Sequence, residues 1–85
     1  MSGHDWLIVV SVASAGITIV GGAIGAAIGE SRIAAAAMDA LARQPDEAGS
    51  ITRTLFVSLA MVESTAIFCL VISLILLFAN PFIAR

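Results

Sequence analysis

Glu63 is a carboxylate in a place where carboxylates are expensive. It is the one charge in the stretch 54–79. If that stretch is a helix, the sixteen residues from Glu63 to Ala79 span ~24 Å. Glutamate is too short to reach an interface from that depth, and an ionised side chain there points to function. A second carboxylate, Glu30, closes the charge-free run 7–29. Ser64 and Thr65 add hydroxyl oxygens next to Glu63. Such an oxygen-only set suits a proton or a hard cation rather than a soft transition metal. Apolar surroundings disfavour ionised carboxyls, and two neighbouring carboxylates disfavour each other. The chemistry expected is that of a carrier: one cation is held in the apolar state and released where water or a cationic partner reaches the site. Catalysis is not expected. His4 is the only histidine and lies outside the apolar runs, and there is no nucleophile–base pair, metal-ligand spacing or phosphate loop.

The elements that must position these carboxyls follow from composition. Of 85 residues, 60% are hydrophobic and 12% charged. So short a soluble chain buries only about 60% of its surface and covers the rest with polar groups; this one has too few. Disordered chains are polar and charged. One cysteine, Cys69, makes no disulfide scaffold. With no lysine, four arginines and a net charge of −2, the basic footprint of a nucleic-acid binder is missing. The expected class is an all-α membrane protein.

The run 7–29 is 23 residues long, enough to span a ~30 Å hydrocarbon core. The second run ends at Asn80-Pro81, because proline disfavours helix in the residue before it. Between the runs, Arg43, Gln44, Pro45, Asp46 and Glu47, followed by Gly49, form the one turn-like cluster. The expectation is a single domain over 1–85: a first transmembrane helix over 5–43, a loop at 44–47 and a second helix over 48–79, paired as an antiparallel hairpin. Counting from the loop, Glu30 lies fourteen residues (~21 Å) from Gln44, and Glu63 lies seventeen (~25 Å) from Asp46. The two carboxyls are therefore expected at similar depth.

The first run lacks the cationic start of a signal peptide and is too long for its apolar region. A bacterial inner-membrane protein is expected. Arg43 and Arg53 flank the loop, Arg32 lies on its side, and only Arg85 marks the other end. The positive-inside rule then puts the loop in the cytoplasm and both termini outside.

Residues 21–31 alternate small side chains. Gly21, Gly25 and Gly29 form one stripe, and Ala23, Ala27 and Ser31 form another. Such spacing lets membrane helices approach closely. Two opposed stripes suit a helix with a close neighbour on each side, the geometry of a closed ring. Cys69 is expected as a small apolar filler. Arg32 shares no face with Glu30 and has no assigned role.

The alternating residues 21–31, the loop Ala42, Arg43, Gln44, Pro45, Asp46, the segment Met61, Val62, Glu63, Ser64, Thr65 and the ending Leu77, Phe78, Ala79, Asn80, Pro81 together resemble the c-subunit, or proteolipid, of rotary F-type ATP synthases. The resemblance covers essentially the whole chain. It implies a homo-oligomeric ring of hairpins in lipid, with the first helix inside and the second outside. It places Glu63 as the ion-carrying carboxylate, with the arginine of stator subunit a as the partner that releases the ion. The loop Arg43, Gln44, Pro45, Asp46 takes the place of the contact with the central-stalk subunits gamma and epsilon. No cofactor is implied beyond the transported ion. Glu30 stands where sodium-binding relatives carry a ligand, and Ser64, Thr65 and the Met61 carbonyl match that pattern. Phe68, however, replaces the tyrosine that often braces the carboxylate. A second glutamate in the first helix is frequent in the N-type ATPase branch. The reading favoured here is H⁺, with Na⁺ held by Glu63, Glu30 and Ser64 as the alternative. A vesicular-type proteolipid and a holin-like pore-forming hairpin are the more distant alternatives.

Overall fold

A computed structural model describes residues 1–83. It contains two long helices, α1 (Gly3–Arg43) and α2 (Ala48–Phe78), joined by one 3₁₀ turn (Pro45–Glu47). They lie antiparallel in a rod of 64 × 17 × 10 Å. This is the two-helix hairpin expected from the two apolar runs. Arg85 lies outside the described residues.

Each end has a local cause. Ser2 caps α1 through a reciprocal box: its hydroxyl accepts from the Asp5 N–H at 3.2 Å, and its own N–H donates to Asp5 Oδ2 at 3.1 Å. The helix therefore starts at Gly3, two residues ahead of the expected Asp5. At the other end the Gln44 N–H still donates to Ala40 O (2.8 Å), after which Pro45 opens the 3₁₀ turn, where its missing N–H costs nothing. Helix α2 stops at Phe78, one residue before the expected Ala79, ahead of Asn80-Pro81.

The interface between the helices is built from small residues. Ala15 and Ala37 are its buried apolar side chains, and Ser11, Ser73 and Asn80 its buried polar ones. The closest approach is at Gly22: a Cβ there would lie 2.7 Å from Cys69 Cβ, so the α2 backbone can come this near only because α1 has glycine. Cys69 is indeed the small filler, seated on Gly22. Gly29 stands level with Val62. Two interhelical hydrogen bonds fix the end near the termini: Ser73 Oγ donates to Ala15 O (2.8 Å), and Asn80 Nδ2 to Ser11 Oγ (2.7 Å). The Phe82 N–H donates to Asn80 Oδ1 at 2.8 Å, which fixes the orientation of the amide.

The hairpin hides almost none of its large apolar side chains. Trp6, Ile17, Ile24, Phe56, Phe68 and Phe78 are all exposed. A surface this apolar belongs against lipid or other protein, not water. Both helices are long and apolar enough to cross a membrane.

Candidate functional site: a paired-carboxylate groove

The two helices leave a groove along each flank of the hairpin. One is lined on α1 by Ala23, Ala27 and Glu30 and on α2 by Glu63, Ala66 and Ile67. The other is lined by Gly21, Gly25 and Gly29 on α1 and by Val62 and Thr65 on α2. The reason is helical rotation: Glu63 and Thr65 are two residues apart, so they sit ~200° apart and face opposite flanks.

In the first groove Glu30 of α1 and Glu63 of α2 face the same space. A hydrogen bond between two carboxyls has no donor unless one of them carries a proton. Glu30 is half-buried, and its Oε1 is buried with no donor among the described residues. Glu63 is exposed on the isolated hairpin, at a face that a neighbouring protomer or lipid would cover.

The other expected ligands are not gathered here. The Ser64 hydroxyl donates to Ala60 O of its own helix at 2.9 Å, the back-bond common for serine within helices. Met61, expected to offer its backbone carbonyl, does not line this groove, and Thr65 lines the opposite one. Ser31 donates to Ile28 O of its own helix (2.9 Å), and it is Glu30, not Ser31, that follows Ala23 and Ala27 along the groove. Gly21 and Gly25 have open space beside them, whereas Gly29 is in ordinary contact with Val62. At the loop, Arg43, Gln44, Pro45 and Asp46 are exposed, and Arg43 Nε pairs with Asp39 Oδ2 at 3.3 Å.

Residues 13–76, which include both helices' apolar parts, both carboxylates and the loop, match the family model for the ATP synthase C-subunit. This chain belongs to the ATP synthase c-subunit family. It is 57% identical over 74 residues to the ATP synthase c-subunit 2 of Cereibacter sphaeroides, covering 87% of this chain and 89% of that one. It is 52% identical to the chloroplastic ATP synthase c-subunit of Cyanidium caldarium, covering 86% and 89% of the two chains. The ATP synthase c-subunit of Prochlorococcus marinus is 47% identical, covering 85% and 89%. With two apolar helices and this family, the chain is an integral membrane protein. The c-subunit is a transport and structural component of the membrane Fo sector; it is not itself catalytic, although the complex makes ATP. The family forms rings within that complex.

Sequence reasoning passes over Gly22, Ser11 and Ser73, and reads Asn80 only as a stop. A clue was available for Gly22, since small residues facing a single cysteine at matching depth mark a close helix crossing.

Proposed function

We propose that this chain is the repeating unit of a rotor ring in a bacterial inner membrane, carrying one H⁺ per protomer on Glu63 between the two sides. The observation that carries this reading is the placing of Glu63 and Glu30 on one groove inside the apolar spans. A proton held between two carboxyls needs no shell of further oxygen ligands. Na⁺ would need several more oxygens, and here Thr65 lies on the other flank. In this account the loop is cytoplasmic and meets the gamma and epsilon subunits of the central stalk. Stator subunit a, with its arginine, supplies the cationic partner at which Glu63 gives up its proton. Rotation follows because Glu63 can re-enter lipid only when neutral.

The test is ATP-driven ion uptake by the whole complex in vesicles. Glu63→Gln abolishes uptake while rings still assemble, and wild-type uptake is the same in sodium-free medium. Retained uptake in Glu63→Gln, or a strict need for sodium, would overturn the assignment.

A further inference from the structure

We propose that Arg32 of one protomer forms an ion pair with Glu30 of the next protomer, so that Glu30 is a fixed counter-charge and Glu63 is the carboxyl that exchanges its ion. The inference rests on the ring reading above and adds a residue that the single hairpin leaves unexplained.

Arg32 is exposed and has no carboxylate partner among the described residues, where Arg43–Asp39 is the ion pair observed. The positions one turn away on its own helix are Ile28, Gly29, Ala35 and Ala36, none of them acidic. Its place on α1 is set by spacing. Gly21, Gly25, Gly29 and Arg32 follow one another at four, four and three residues, so Arg32 continues the glycine flank. Ala23, Ala27 and Glu30 follow at four and three, so Glu30 continues the alanine flank. The two charged residues differ in height by two residues, ~3 Å.

A ring of identical hairpins has heterologous interfaces, in which one flank of each protomer meets the opposite flank of the next. The glycine flank is open, with nothing within 4 Å of a Cβ at Gly21 or Gly25. A second copy laying its alanine flank there brings its Glu30 to the height of Arg32. Charge complementarity makes that copy the occupant: a guanidinium between closely packed helices needs a counter-charge, and Glu30 is the carboxylate that the second copy's alanine flank carries to that height. Each interface site then holds two carboxyls and one guanidinium, and is neutral when Glu63 holds one monovalent cation.

The test uses purified rings of the full chain. Arg32→Gln lowers the temperature at which rings dissociate, and adding Glu30→Gln restores most of the loss. Arg32→Glu alone and Glu30→Arg alone fail to give stable rings. Co-expression of these two variants gives mixed rings, since opposite charges then face each other at every interface of an alternating ring; pairing within a protomer would give none. Carbodiimide, which attacks protonated carboxyls, leaves Glu30 unmodified in wild-type rings and modifies it in Arg32→Gln rings. Absence of mixed rings would overturn the proposal. So would Arg32→Gln loosening the ring equally with Glu30 or Gln at position 30, which would point to an anionic lipid headgroup as the partner. If the wild-type chain formed no ring, the rotor reading itself would fail first, so the two failures are distinguishable.

Discussion

Single side chains in this molecule are used for what their polarity forbids elsewhere in the span. Asn80 is 3% exposed and uses both ends of its amide: Oδ1 accepts from the Phe82 N–H while Nδ2 donates to Ser11 Oγ on the other helix. Removing it leaves the Ser11 hydroxyl without that donor and unpins the end of the hairpin farthest from the loop. Asn80→Ala should therefore lower the stability of the detergent-solubilised chain by ~1–3 kcal/mol, read as a shift in its unfolding midpoint, whereas Asn80→Asp keeps the acceptor for Phe82 and loses only part of it. An unshifted midpoint in Asn80→Ala would show that the clasp carries no weight. In the sequence, Asn80 was legible only as the residue before a proline. Its partner is 69 positions away, and nothing local to Asn80 points to Ser11. Glu63 was legible because its cost is local: one charge in an otherwise charge-free stretch. Thr65 illustrates the opposite case, since two residues from Glu63 in sequence is the opposite flank once the helix turns.

At the scale of the helices, the hairpin is held by close approach rather than by large buried side chains, so the small residues divide into two kinds. Gly22 faces α2, where a Cβ would lie 2.7 Å from Cys69 Cβ and 2.8 Å from its Sγ. Gly25 faces outward, with open space beside it. Gly22→Ala should cost ~1–3 kcal/mol by overpacking and be relieved by Cys69→Gly in the same chain. Gly25→Leu should leave the hairpin folded and prevent ring formation. Helicity and unfolding of the solubilised chain, together with the size of the purified assembly, separate the two. A normal ring from Gly25→Leu would refute the role given to the outward stripe. The apolar runs and the single polar turn made both helices readable from sequence. The division of the glycines was not readable to the same degree, because the i, i+4 stripe beginning at Gly21 stands one residue from the position that touches α2.

The whole hairpin is a rod whose apolar surface is almost all outside, so its working form is an assembly in lipid and its chemistry belongs to the faces between copies. The loop is the exposed polar end, and its Arg43–Asp39 pair is solvated and worth only ~0.3–0.5 kcal/mol to the helix. Substituting Arg43 or Gln44 should therefore leave ring stability unchanged while uncoupling ATP turnover from ion movement, measured together in vesicles containing the whole complex; coupling that persists would reduce the loop to a turn. The central claim is that Glu63 holds the transported proton, and it is tested most directly by mapping carbodiimide modification on the intact ring by mass. The expected result is that Glu63 is modified first, that ion translocation is lost in step with its modification, and that millimolar Na⁺ gives no protection at neutral pH. Modification of Asp39 or Glu47 ahead of Glu63, or saturable protection by Na⁺ but not by K⁺, would contradict it.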